Sequence, residues 1–329
     1  MRRHNINETY NLIHCFINKY FIKNILLAIS GGQDSIYLIN TLEKLKKKEY
    51  NNKITISYIY IDHQWKHNSY QQLKHIINYI KLINSNIIVY QIKKVTLSED
   101  ECRRYRYNII IQHSIKYNFQ LIITGHNAND KVETFMQNTI KGSSIESLSN
   151  LVIKNKIYNR LFILRPLLKL NRTVIYWTCK KFYLPIWSDA TNYFYKIQRN
   201  RIRQELIPYI QQYIHSNIEN NIKLLINNYY YQNEYIKQSV LKLYLKSKHN
   251  KRIAINYTII NKQNFILQIK VIQLFCFQNI QTYLESQKIT KIMHEINQGS
   301  IALDLSQIVN YNNFKFFIYN SWMYLKIKV

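Results

Sequence analysis

Two short stretches hold most of the side chains that could do chemistry. The first is Ser30-Gly31-Gly32-Gln33-Asp34-Ser35, directly after the apolar run at 26–29. Gly31 and Gly32 are two of only 5 glycines in the chain. Lacking Cβ atoms, they let the backbone take positive φ and approach a ligand closely. Asp34 and Ser35 open a helical pattern, which sets free N–H groups and the positive end of a helix dipole beside the turn, a geometry that binds phosphate. Ser30 and Ser35 add hydroxyl donors, and Asp34 can hold Mg²⁺ through oxygen. The second stretch is Gly125-His126-Asn127-Ala128-Asn129-Asp130, with Glu133 three residues on. Asp130 reads as a helix cap or as a functional carboxylate, and Glu133 shares its helix face.

A basic balance surrounds these acids. Lys and Arg number 46 against 18 Asp and Glu, a formal net charge of +28. That points to a polyanionic partner. The chain is also crowded with Ile, Asn, Lys, Tyr and Phe, residues with AT-rich codons, so base-composition bias alone supplies many lysines. Arginine is the better witness, because that bias works against most of its codons. Six of the 12 arginines fall in two clusters, Arg103, Arg104 and Arg106, then Arg199, Arg201 and Arg203. Arg199 and Arg203 are four apart and share a helix face, whereas Arg201 points elsewhere, toward Glu205. The four cysteines are far apart and form no Cys-x-x-Cys pair, so neither a zinc knuckle nor an iron–sulfur site is indicated. No apolar run reaches the ~20 residues needed to span a bilayer.

The elements that must position these residues alternate. Strands are expected at 26–29, 54–61, 87–92, 121–124 and 157–164, with helices at 34–48, 69–83, 99–117, from Asp130 to Lys141, and at 171–182. A leading helix covers residues 1–20. This alternation means βαβ crossovers and a doubly wound parallel sheet, an α/β fold. Ligands of such sheets bind beyond the carboxyl ends of the strands. The polar clusters at 30–35, 62–66 and 125–130 all follow strands, so they converge on one crevice. From about Tyr209 the pattern changes to long helical stretches at 209–246 and 264–297 and β-prone segments at 301–305, 315–319 and 322–329. The expected organisation is a catalytic domain over residues 1–209 and a smaller, mainly helical domain with a short β tail over residues 210–329.

With these residues in view, the chain resembles the PP-loop ATP pyrophosphatases, whose adenine nucleotide hydrolase-like fold is of this α/β kind, and among them the tRNA(Ile)-lysidine synthetases. The resemblance runs from about residue 22 to 210. It rests on the loop at 30–35, Asp62-His63, Glu99 with Arg103, Arg106 and Tyr107, and Gly125-His126 with Asp130, Glu133 and Thr134. It continues through Lys141-Gly142, Arg165-Pro166-Leu167, Asp189 with Asn192, and Arg199-Asn200-Arg201-Ile202-Arg203 before Pro208. Two departures stand out. Asn129 occupies the place of the first of two aspartates, and Gln64-Trp65-Lys66 that of Gly-Leu-Arg.

The resemblance implies that ATP activates the C2 carbonyl of the wobble cytidine in an isoleucine tRNA with a CAU anticodon. The ε-amine of free L-lysine then displaces AMP, giving lysidine and AUA decoding. Ser30, Gly31, Gly32, Gln33, Asp34 and Ser35 cradle pyrophosphate. Asp34 and Asp130 hold Mg²⁺. Asp34, Asp130 and Glu133 form the catalytic set, Glu133 either positioning the lysine ammonium or making a surface pair. Arg103, Arg106, Arg199, Asn200, Arg201 and Arg203 contact ATP phosphate or tRNA. His63 and His126 contact nucleotide or base, or are structural. The competing readings are another PP-loop tRNA-modifying enzyme, a thiolase, and a catalytically inactive RNA-binding relative. A homodimer is left open. The AT-biased composition and polar start give the expectation of a plastid protein encoded in the organelle, with the cytoplasm of an AT-rich bacterium as the alternative.

Overall fold

The structure is a computed structural model. It describes residues 2–48, 54–62, 69–92, 98–158, 160–187, 198–281, 284–297, 302–304 and 314–327. The chain divides into two compact units, Met1–Asn227 and Asn228–Val329.

The first unit is built on a six-stranded sheet. In chain order its elements are α1 (Arg2–Tyr20), β1 (Asn24–Ile29), α2 (Gln33–Lys48), β2 (Thr55–Asp62), α3 (Ser69–Leu82), β3 (Asn86–Gln91), α4 (Glu99–Lys116), β4 (Leu121–Thr124) and α5 (Ala128–Ile140). They continue with α6 (Ile145–Leu148), β5 (Lys154–Tyr158), β6 (Leu161–Leu164), a 3₁₀ turn (Pro166–Lys169), α7 (Arg172–Lys181), α8 (Gln198–Arg201), a π turn (Ile202–Leu206) and α9 (Ile207–Tyr213). The spatial order is β3-β2-β1-β4-β6-β5. Every pairing is parallel except β5 with β6.

β1 alternates between two cores. Ile25, Leu27 and Ile29 pack with Ile13 and Phe16 of α1 and Ile36, Leu38 and Leu42 of α2. Leu26 faces the other way, onto Ile59, Ile110, Ile122 and Ile163. A strand covered on both faces needs an unbroken apolar run, which is what residues 25–29 supply. The order of strand connections reverses between β1 and β4, the place where a doubly wound sheet opens a crevice at its carboxyl ends. Ala28 lies opposite Thr124 in that pair, so the loops beginning at Ser30 and Gly125 leave the sheet side by side.

Two expectations change in this unit. The strand expected at 157–164 is two strands, β5 pairing antiparallel to β6 with Tyr158 opposite Leu161, while β6 runs parallel to β4. The helical segment ending at Pro208 also contains a π turn. Proline has no N–H to donate and its ring crowds the carbonyl four residues back, so the helix widens just before it.

The unit division falls within α10 (Ile218–Ser247). The second unit continues with β7 (Ala254–Asn256), α11 (Tyr257–Asn261), α12 (Phe265–Ile280), α13 (Ser286–Asn297), β8 (Ala302–Asp304), β9 (Phe314–Tyr319) and β10 (Trp322–Ile327). Its antiparallel sheet runs β7-β10-β9-β8. Ile255, Val271, Phe275, Phe316 and Met323 fill its core. The helix expected over 264–297 is two helices, since Gln281 takes φ of 58° and ends the first. β7 was not expected: three residues are too few to show a period.

Candidate active site

The glycine turn after β1 is held from beneath. The Ser30 amide donates to Ser35 Oγ at 2.9 Å, and the two hydroxyls lie 3.2 Å apart. Gln72 of α3 donates to the Ser30 carbonyl at 2.7 Å. Gly31 has φ of +80°, and a Cβ there would lie 2.5 Å from Ile76 Cδ1. The positive φ favours glycine, and a side chain there would also have to displace the end of Ile76. Gly125 serves the approach of the second loop, since its Cβ would stand 3.3 Å from Asp34 Cβ. The Ile36 amide donates to the Gly32 carbonyl at 3.2 Å, and the amides before it at the start of α2 have no acceptor within the helix.

Asp34 sits at the head of this turn. Asn127 Nδ2 donates to its Oδ2 at 3.0 Å, while Oδ1 is buried and accepts no hydrogen bond from a described residue. The residue keeps some exposure, but its carboxyl end is sunk in the crevice. Burial first, and the nearby Asp130 second, push its pKa up from 3.8 to about 7, against the opposing pull of Arg172. Burial thus disfavours the charged form, and a nearby cation would favour it.

Asn127 links both acids. It caps α5, its side chain accepting the Asp130 amide while its own amide donates to Asp130 Oδ2 at 2.9 Å. Asp130 is thus both cap and member of the site. Its Oδ1 accepts from Arg172 Nη2 and Arg199 Nη2, each at 3.0 Å. Glu133, 1% exposed, receives Arg203 at 2.6 and 2.8 Å, Arg199 Nε at 2.8 Å and Arg172 Nη1 at 3.5 Å. It is a buried hub and not a surface pair. Arg201 lies outside, bonded to Glu205 at 3.0 Å with its side chain 65% exposed. Arg199 and Arg203 therefore act on one side and Arg201 on another, and Asn200 is buried between them.

Arg103 and Arg106 of α4 approach the same region. With Arg165 and Arg199 they bear on His126, whose pKa burial and these four positive charges hold well below 6.5. His126 is neutral, its Nδ1 3.0 Å from Thr124 Oγ1. Arg165 is buried and donates to the Val152 carbonyl and to Tyr107 Oη. His63, Gln64, Trp65, Lys66, Asp189 and Asn192 lie outside the described residues, as does the side chain of Glu99. No group of three or more His, Cys, Asp or Glu side chains is placed to ligate a metal among the described residues.

Arg172 and Gln72 carry parts of the site that the sequence reading left without a role. Arg172 had a signal available: it is an arginine in a chain whose bias favours lysine. A cleft of about 350 Å³ opens beside it, lined by Gln33, Glu133, Tyr176, Trp177, Arg203 and Glu219 among others. An apolar hollow of about 430 Å³ beside Arg201 and Tyr209 lies apart from these acids.

Residues 6–210 match the family model of the PP-loop domain. The whole chain is similar to the tRNA(Ile)-lysidine synthase, chloroplastic, of Gracilaria tenuistipitata var. liui, with 40% identity covering 97% of this chain and 100% of that protein. The chain belongs to the tRNA(Ile)-lysidine synthase family. A second family member, from Pyropia yezoensis and also named chloroplastic, is 32% identical over 95% of this chain and 96% of its own. Among solved structures, the U34-tRNA thiolase NcsA from Methanococcus maripaludis superposes with a TM-score of 0.54 at 15% identity, covering 69% of this chain and 80% of that one. That likeness shows the shared fold.

Proposed function

We propose that this protein uses ATP to join free L-lysine to C2 of the wobble cytidine of an isoleucine tRNA with a CAU anticodon. The cytidine carbonyl oxygen takes AMP from ATP with release of pyrophosphate. The lysine ε-amine then replaces AMP at C2. The observation that carries the reading is the Asp34 carboxylate, buried and half unpartnered at the head of a glycine turn, beside a guanidinium cluster. Membership of the family supports the substrates.

Mg²⁺ fits the donors present. Asp34 Oδ1 is an acceptor without a partner among the described residues, and Mg²⁺ is commonly held by one or two carboxylates together with substrate phosphates. When bound, the ion would neutralise phosphate charge. Asp34 is the stronger candidate ligand, because both oxygens of Asp130 already accept N–H groups. The turn at 30–35 cradles the phosphates. Glu133 sets the three guanidinium groups in place, and Arg103, Arg106, Arg199 and Arg203 face the anionic substrates. Cys179, held near the Gln33 carbonyl, has its thiol pushed up to about 12 by burial and by Asp34, so it is not a nucleophile in this site. Among the described residues no helix is long and apolar enough to cross a membrane. We place the protein in the plastid, encoded by the organelle.

The test is ATP–pyrophosphate exchange with and without the isoleucine tRNA transcript, followed by nucleoside mass analysis after addition of labelled lysine. Exchange that needs the tRNA, and lysine mass on cytidine, are expected. Exchange without lysine incorporation would overturn the assignment.

A further inference from the structure

Arg172 is gripped from three sides. Its amide donates to Asn129 Oδ1 at 2.9 Å, its carbonyl accepts from Gln33 Nε2 of the glycine turn at 3.1 Å, and its guanidinium reaches Asp130 and Glu133. The residue that opens α7 thus ties α2 to α5. Asn129 does the tying on the α5 side, and its second amide atom faces a different partner. Nδ2 donates to Glu219 Oε1 at 3.0 Å. Glu219 in turn lies 3.9 Å from Lys223, which donates to Asn171 Oδ1 at 2.9 Å, one residue before Arg172. A closed ring of contacts therefore surrounds the start of α7.

The chemistry of the ring dictates an amide at 129. The Arg172 N–H can only donate, so it must meet an oxygen. The Glu219 carboxylate can only accept, so it must meet an N–H. One side chain presents both ends, and its orientation follows from its partners. An aspartate at 129 would keep the first bond and lose the second, leaving two carboxylates at hydrogen-bond distance, where both cannot stay ionised without repulsion.

We infer that Asn129 and Glu219 form a matched positioning pair that fixes the start of α7 and so aims the Arg172 guanidinium at the Asp130–Glu133 carboxylates. Neither residue needs to touch a reacting atom. Glutamate at 219 is what makes Asn, and not Asp, the fitting choice at 129. With a glutamine at 219, an aspartate at 129 would again have a donor opposite it, because the glutamine amide can supply the N–H.

The inference uses the proposed activity for one readout and is independent of it for the other. Asn129→Asp, Asn129→Asp/Glu219→Gln and wild type are compared. The first readout, without substrates, is hydrogen exchange of the Arg172 amide and the melting temperature. The second is kcat and KM for ATP in tRNA-dependent pyrophosphate exchange. Asn129→Asp is expected to speed exchange at Arg172 and to lower kcat by about tenfold or more, with a smaller change in KM, as for coupled neighbours. Adding Glu219→Gln should return both to within about threefold of wild type. Equal exchange and kcat in the single and double variants would overturn the pairing, as would an Asn129→Asp variant indistinguishable from wild type. If the wild type itself shows no pyrophosphate exchange, the proposed activity fails, and the hydrogen-exchange comparison still decides the pairing.

Discussion

Replacing Asp34 by Asn removes an ionisable group while keeping its shape and its hydrogen bond from Asn127. In the folded protein the pKa of Asp34 is raised from 3.8 to about 7. Between those values the folded state holds a proton that the unfolded chain has released. The native state then binds more protons, so stability falls as pH rises through that window, and the whole penalty is present above pH 7. About three pH units at ~1.36 kcal/mol each set a ceiling of about 4 kcal/mol. A gain of about 2–4 kcal/mol is expected for Asp34→Asn at pH 8, shrinking to near nothing toward pH 4. Denaturant unfolding across that range measures it, with hydrogen exchange of the β1 and β4 amides reporting the first unit itself. Mg²⁺ added together with ATP at pH 8 should stabilise the wild type more than the variant, and tRNA-dependent pyrophosphate exchange should be lost in the variant. A stability difference that is flat with pH, or a variant less stable than wild type at pH 8, would refute the reasoning.

Other perturbations follow from the same geometry. Glu133→Gln leaves three guanidinium groups around an uncharged amide and should destabilise by about 3–5 kcal/mol, read as a lowered denaturation midpoint. Arg201→Ala removes an exposed i,i+4 pair and should change stability by less than about 1 kcal/mol, whereas Arg199→Ala and Arg203→Ala should impair pyrophosphate exchange. A larger activity defect at Arg201 than at either neighbour would contradict this division. Gly31→Ala forces a side chain into a positive-φ position against Ile76. It should abolish ATP binding measured by calorimetry and destabilise by more than about 1 kcal/mol.

The parts legible in sequence were those with a strong period or a local reason. The run at 25–29 had to be a central strand, and Gly31 is required by a turn that the sequence itself announces. Arg199, Arg201 and Arg203 could be divided by helical spacing alone, and their side chains are divided that way here. The acidic partner of Arg199 and Arg203 could not be seen, since Glu133 lies 66 residues from Arg199 in sequence, whereas Glu205 stands one helical turn from Arg201 and was visible. Arg172 escaped for the same reason: its value comes from Gln33 and Asn129, which only the β1–β4 register brings together. The hairpin at 154–164 was hidden because β5, Lys-Asn-Lys-Ile-Tyr, is exposed and mostly polar and so lacks the apolar pattern that announces a strand, while β6 is a short buried run.

The distribution of charge explains why the acids of the crevice behave differently. Asp130 and Glu133 face Arg172, Arg199 and Arg203, two negative charges against three positive, and each of their oxygens accepts an N–H. Buried carboxylates persist in ionised form when paired in this way. Asp34 accepts an amide hydrogen bond from Asn127 and feels Asp130 more strongly than Arg172. The cluster therefore leaves one positive charge in excess beside one carboxyl short of cations. A triphosphate bound with a divalent ion answers both demands, its anionic oxygens to the arginines and its cation to Asp34. Neither ion alone does so: a free cation at Asp34 would meet the excess guanidinium charge, and a free polyphosphate would meet the Asp34 carboxylate. The crevice is thus built to bind the two together.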